Sequence, residues 1–256
     1  MQNLISFELM ADFGFFRKPE TNDGINLTYT MLHKPALLGI LGAIIGLEGY
    51  KKKGEKPEYL EKLKTLKVGI KPKNDDKGNF QKMVIKYSNT IGYANKGTNY
   101  LTEEMTLIKP AYKCFLLLDL TDENHQKIKE YLMEGKAEFL PYLGKNEFSA
   151  WWDKERVVVH EFEEVSGVEE GIVIENLFLK TEEKIEKKIT RRRVGFKAPK
   201  ITTKSFVFFE RLPIGFDETL FQYELGDFSY TNFIALNQGD ILNLYHIQKG
   251  DYVQLH

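Results

Sequence analysis

Lys34-Pro35-Ala36-Leu37-Leu38-Gly39-Ile40-Leu41-Gly42-Ala43-Ile44-Ile45-Gly46-Leu47 is the stretch that decides how the chain folds. Leu37, Ile40, Leu41, Ile44 and Ile45 recur at helical spacing and Pro35 suits a first-turn position, which predicts a helix over 36–47. Gly39, Gly42, Ala43 and Gly46 fall at i, i+3, i+4 and i+7, on one face of that helix. A glycine inside a helix costs about 1 kcal/mol against alanine, so three need an offset on the order of 3 kcal/mol. Two offsets are open. The smooth face lets the helix lie close on its own sheet, or it admits a phosphate backbone or a partner segment, the steric permission that the GXXG loop of KH domains uses.

Working outward, Leu4 to Leu9 alternates as a strand before the helix, and Leu66 to Lys71 and Met83 to Tyr87 alternate after it. Thr106 to Leu120 is a long apolar strand broken near Pro110. A second helix follows, with Thr121 placed to cap it, Ile128, Tyr131 and Leu132 as its apolar stripe and Gly135 as its stop. A last strand is expected at Ala137 to Tyr142. The order strand, helix, strand, strand, helix, strand predicts an α+β chain built on a ferredoxin-like, RRM-like split βαβ domain over 1–150. From 151 to 256 the pattern becomes β-rich, with strands expected at Arg156–Phe162, Gly171–Lys180, Thr203–Leu212, Phe221–Tyr223 and Phe228–Ala235. No Pro-, Gly- or Ser-rich linker separates the halves, so this β-rich lobe should share an extensive interface with the first.

Bulk properties narrow the chemistry. A net charge of −1 over 256 residues excludes a protein that coats nucleic acid through its overall charge, so any such site must be a local patch. The single cysteine, Cys114, lies in an apolar run, precludes an internal disulfide and fits a cytoplasmic protein. Met1 to Met10 carries Glu8 and lacks a basic start, and no apolar run approaches the roughly 20 residues of a membrane span, so neither a signal peptide nor a membrane contact is expected. There is no GxxxxGK[ST] loop, no His-Glu-x-x-His, no paired cysteines and no G-x-S-x-G. His33, His125, His160, His246 and His256 are not at metal-ligand spacing from one another, and neither a cofactor nor a metal is expected.

Positive charge gathers in Lys187-Lys188-Ile189-Thr190-Arg191-Arg192-Arg193-Val194-Gly195-Phe196-Lys197-Ala198-Pro199-Lys200, which no acid interrupts and whose arginines suit phosphates. Arg17 and Lys18 beside Phe15 and Phe16 form a smaller cation-plus-aromatic group, suited to clamp a backbone and stack a base unless a phenylalanine is core. Trp151 and Trp152 are adjacent, so on a strand they face opposite sides.

Phe13-Gly14-Phe15-Phe16-Arg17-Lys18-Pro19, then Leu27-Thr28-Tyr29, then Lys34 to Leu47 resemble the amino-terminal signature of CRISPR-associated protein family five in its subtype I-B form. Phe139-Leu140-Pro141-Tyr142-Leu143-Gly144-Lys145-Asn146-Glu147-Phe148 is similar to a second block of that family, in the expected order about a hundred residues on. The resemblance covers the first 150 residues. It implies a non-catalytic subunit of the Cascade surveillance complex that holds the 5′ handle of the guide RNA (crRNA), contacts the backbone and large subunits, and meets target DNA through the assembly. It also implies a thumb-like projection, for which the insertion at about 72–104 is the candidate, a long exposed loop with Tyr93 and Tyr100 available for stacking. The residues nominated for RNA contact are Phe15, Phe16, Arg17, Lys18, Lys34, Gly39, Gly42, Tyr93, Tyr100, Lys145, Arg191, Arg192, Arg193 and Lys197. Two alternatives stand beside this reading. One is a metal-independent endoribonuclease processing precursor RNA, as in subtype I-C, with Tyr29, His33 and Lys34 as possible groups. The other is a general protein-interaction module docking a partner on the glycine-faced helix.

Overall fold

The computed structural model describes residues 1–20, 24–52, 54–74, 77–89, 100–165, 171–179, 183–185, 188–190, 196–198, 205–217, 219–235, 241–247 and 251–256. Along the chain come β1 (Gln2–Ala11), α1 (Lys34–Ile45), α2 (Glu58–Lys62), β2 (Lys67–Pro72), β3 (Lys82–Asn89), β4 (Tyr100–Ile108), β5 (Ala111–Asp119) and α3 (Glu123–Glu134). After α3 lie β6 (Ala150–Trp151), β7 (Val158–His160), β8 (Val207–Asp217), β9 (Gln222–Thr231), β10 (Leu244–Ile247) and β11 (Asp251–Gln254), with shorter strands between them. The chain is α+β and rich in strands.

The main sheet runs β6/β7, β1, β5, β2, and every neighbouring pair is antiparallel. Its registers, Ile5 opposite Leu116 and Val68 opposite Leu116, send β1 residues Ile5, Phe7 and Leu9 into the principal core with α1. Alternation then sends Leu4, Phe115 and Leu117 to the other face, which β10 and β11 cover. α1 is apolar almost all round because it is enclosed almost all round. His33 is its N-cap, accepting from Ala36 N–H through Nδ1, and Gly46 closes it at φ 84°. Residues 171–256 return to the same core through Leu177, Leu212, Phe228 and Tyr230, so position 150 is no break in packing. His256 pairs with Val68 in both directions, N–H to C=O at 3.0 Å each way, and covers part of the free edge of β2.

Several expectations are corrected. The cap of α3 is Asp122 rather than Thr121: its carboxylate accepts from Asn124 and His125 N–H at 2.8 and 3.2 Å, where a carboxylate also suits the positive helix end. The break expected near Pro110 is present and divides 106–120 between two strands in different sheets, because Lys109 takes φ 47° and Pro110 lacks a ladder donor. Ala137–Tyr142 is not a strand. Its Glu138 and Phe139 N–H groups donate to Ile44 and Ala43 carbonyls, using up the free acceptors at the end of α1, and the sheet is completed by β6 and β7 instead. Phe221–Tyr223 and Phe228–Ala235 are joined, since β9 runs unbroken from Gln222 to Thr231. Within the insertion at about 72–104, β3 and β4 pair over eight positions, Lys82 to Asn89 against Leu107 to Tyr100, and the loop expected between them, residues 90–99, lies outside the described residues.

Candidate nucleic-acid interface

The first and second sequence blocks meet in one structural unit. Phe15 N–H donates to Leu143 C=O at 3.0 Å, and the Phe13 and Phe148 rings lie 5.8 Å apart. Gly144 takes φ 86°, and a Cβ there would fall 1.8 Å from Phe15 C=O, so this contact requires glycine. Lys145 closes the unit. Its ammonium binds Glu104 of β4 at 2.7 Å and Glu147 at 3.0 Å, and lies 4.2 Å from the centre of the Tyr87 ring of β3. Burial alone would lower its pKa, but the hydrogen bonds to Glu104, Glu147 and Tyr87 outweigh that and hold it above the usual lysine value. Lys145 therefore pins the β3–β4 hairpin to the body, and its charge is met by two carboxylates rather than turned to an incoming phosphate.

Phe15 and Phe16 are both buried, so neither ring offers a face for a base; Phe16 packs edge-on against His33 at 5.8 Å. Arg17 beside them is exposed. Lys18 binds Glu210 of β8 at 3.2 Å and lies 4.9 Å from the Tyr29 ring centre. Glu210 is an inter-lobe fastening: its carboxylate also accepts from Thr30 and Met31 N–H at 3.0 Å each. Gly39 and Gly42 face α2, not the sheet. A Cβ on Gly42 would stand 2.6 Å from Tyr59 Cβ, whereas one on Gly39 would touch the Tyr59 ring at 3.4 Å. Lys197 is exposed on a two-residue strand paired with Ile234. Tyr93, Arg191, Arg192 and Arg193 lie outside the described residues, as does the side chain of Tyr100.

Tyr29 and His33 are buried and Lys34 is half-buried. His33 is buried, its Nδ1 is occupied by the helix cap, and desolvation lowers its pKa to about 3. Tyr29 is pushed up to about 12, by burial first and by Glu20 among nearby charges. Lys34 donates to His256 C=O at 3.0 Å, and burial with Lys67 nearby lowers it to about 8. Among the described residues no group of three or more His, Cys, Asp or Glu side chains could hold a metal, and no helix is long and apolar enough to cross a membrane.

One face of the protein remains open, and composition alone did not reveal it. Gly39, which meets the Tyr59 ring, and the half-buried Ala43 floor a groove of about 620 Å³ walled by Tyr50, Tyr59, Phe139, Tyr142 and Tyr223. Beside it a second cavity of about 350 Å³ sets Lys51, Lys52 and Lys56 opposite Phe216 and Phe221 at the tip of the β8–β9 hairpin. Phe216 joins Phe221 and Tyr223 edge-on, at 6.4 and 6.0 Å, and Tyr223 reaches His33 at 5.7 Å, so the exposed tip is continuous with the aromatic core. Lys51 pairs with Glu48, and Lys52 with Glu55 at 3.4 Å, all four exposed. Of the nominated residues that are described, only Phe16 and Gly39 line the groove, and Lys34 lines an adjoining cavity. The missed signal was the interleaving in Tyr50-Lys51-Lys52-Lys53-Gly54-Glu55-Lys56-Pro57-Glu58-Tyr59. Aromatic rings beside lysines on an open groove are the elements of a single-stranded nucleic-acid platform.

A family model described as CRISPR-associated protein (Cas_Cas5) matches residues 4–203. Among solved structures, the chain is similar to one described as a CRISPR RNA-guided surveillance complex, at 13% identity, 91% of each chain covered and TM-score 0.48. It is similar to a CRISPR protein from Archaeoglobus fulgidus at 12% identity, covering 99% of this chain and 98% of that one, TM-score 0.48. A functionally uncharacterized protein from Streptococcus mutans aligns at 15% identity over 60% of this chain and 67% of its own, TM-score 0.36. A search of curated proteins finds no match.

Proposed function

The chain belongs to the CRISPR-associated protein (Cas_Cas5) family, and from that premise we propose that it is a non-catalytic subunit of a type I-B Cascade complex that binds the crRNA 5′ handle and helps assemble the complex. The observation that carries this reading is the family match over residues 4–203. Three features support the finer parts. The antiparallel order β6/β7, β1, β5, β2 fits the split βαβ, ferredoxin-like reading. The two blocks that resemble the I-B form meet through Phe15, Leu143 and Gly144. The open face offers rings and lysines to a single strand. The partners in this reading are the crRNA handle, the backbone and large subunits and, through the assembly, target DNA, all in the cytoplasm.

The non-catalytic part rests on enclosure. A base must come within about 2.6–3.2 Å of the hydroxyl it deprotonates, and His33 is buried with its Nδ1 committed to Ala36 N–H. The test incubates the purified chain, alone and in its complex, with a repeat-containing precursor RNA, with and without magnesium. Guide-sized RNA should co-purify with the complex, and no site-specific product should form. Site-specific products that vanish in His33→Ala would replace this reading with the endoribonuclease.

A further inference from the structure

The groove on α1 has a lining that limits what it can read. Its walls are the rings of Tyr50, Tyr59, Phe139, Tyr142 and Tyr223, and among the described residues its only charged side chains are Glu48 and Lys51. Among the described residues that line it there is no Asn, Gln, Arg, Asp, Ser, Thr or His. Telling one base from another takes paired donors and acceptors aimed at base edges, which Asn, Gln, Arg and free carboxylates supply. Glu48, the one carboxylate, is engaged by Lys51, and the four phenols offer only single hydroxyls. Stacking needs none of this, because every base has a π-face.

Tyr50, Phe139 and Tyr142 are exposed, and a volume of about 620 Å³ lies within the roughly 300–1,000 Å³ of small-molecule sites. The neighbouring cavity supplies charge complementarity to a strand that enters the groove. Lys51, Lys52 and Lys56 stand there beside Phe216 and Phe221, and the Lys52–Glu55 pair is an exposed contact that a phosphate can displace while Lys51 stays on Glu48. We propose that this groove takes unpaired nucleobases of single-stranded RNA by stacking, with the adjoining lysines on the phosphates, and that it holds them without selecting which base is present. The proposal rests on the RNA-binding reading above and narrows it. The sequence selectivity of the handle then resides elsewhere on the chain or in its partners.

The full chain is titrated with oligo(A), oligo(C) and oligo(U) RNAs of equal length, each carrying one 2-aminopurine whose fluorescence falls when it stacks. Binding should quench the probe, and the three affinities should agree within about threefold, since stacking tolerates every base. Phe139→Ala with Tyr142→Ala should weaken all three by about tenfold or more and restore the fluorescence, while the thermal midpoint holds because both side chains are exposed. Unchanged affinity and quenching in the double variant, or a preference of about tenfold or more for one oligonucleotide, would overturn this inference and leave the RNA-binding reading standing. Failure of the wild-type chain and of its assembled complex to bind any of the RNAs would overturn both.

Discussion

His33 has two tasks that conflict in acid. Its Nδ1 must stay unprotonated to accept from Ala36 N–H at the start of α1, and its ring is buried against Phe16, Tyr29 and Tyr223. Burial lowers its pKa from 6.5 to about 3, so between those values the unfolded chain binds a proton that the native state does not. Stability conferred by the neutral ring is therefore full above pH 6.5 and is lost as the pH falls towards 3. Going from pH 7 to pH 5 should cost about 2 kcal/mol through this residue alone. His33→Asn keeps an N-cap acceptor and removes the titration. Urea unfolding at the two pH values should show a smaller loss in the variant, and an equal loss would place the sensitivity elsewhere. Lys145 makes a second test at this scale. Lys145→Met should destabilise by about 1–3 kcal/mol, because it leaves the largely buried Glu104 carboxylate unpaired, and urea unfolding reads this directly. From sequence Lys145 was nominated for RNA contact, and nothing in Leu143-Gly144-Lys145 announces that Glu104, forty-one positions earlier, lies within 2.7 Å.

At the scale of elements, the small-residue face of α1 divides into two halves. Gly42 is where α2 approaches, with Tyr59 Cβ in the space a methyl group would need, whereas Gly39 meets only the Tyr59 ring at ordinary contact distance. Gly39→Ala should therefore hold or raise the thermal midpoint, with a gain of up to about 1 kcal/mol from helix propensity. Gly42→Ala should lower it and Gly42→Leu lower it further, by about 1–3 kcal/mol of overpacking. Equal effects at the two sites, read in paired thermal melts, would refute the division. The helix itself was legible, because five aliphatics at helical spacing and Pro35 leave few alternatives, but the face that α2 covers was not. A five-residue helix is too short to show a helical period, and Glu58–Lys62 sets only Tyr59 and Leu60 among its charged residues. Local turn chemistry explains the rest: Lys109 at φ 47° divides one apolar run between two sheets, and the alternation of Ala137–Tyr142 is spent on the end of α1.

Over the whole molecule, the candidate site depends on parts distant in the chain, since the groove and its neighbouring cavity draw on residues from Phe16 to Tyr223. The Glu210 carboxylate on Thr30 and Met31 and the shared core through Leu177, Leu212 and Phe228 bind the same parts together. A fragment ending at residue 150 should accordingly lack a cooperative thermal transition that the full chain shows by circular dichroism; a sharp transition in the fragment would make the amino-terminal half autonomous. The strands β1, β2 and β5 and the helices α1 and α3 were readable because each is long and periodic, the short closing strands β6 and β7 were not, and the aromatic groove was not either, because it exists only when Tyr50, Phe139, Tyr142 and Tyr223 are folded together. The pairing of His256 with Val68 bears on how the chain is made. A nascent polypeptide can close β1 on β5 as soon as residue 119 has emerged, but the open side of β2 at Val68 waits for residue 256 to leave the ribosome. Until then the nascent chain displays an unpaired strand edge at Val68, a surface on which neighbouring nascent chains on one messenger would pair, so translation that stalls before residue 256 should yield aggregate.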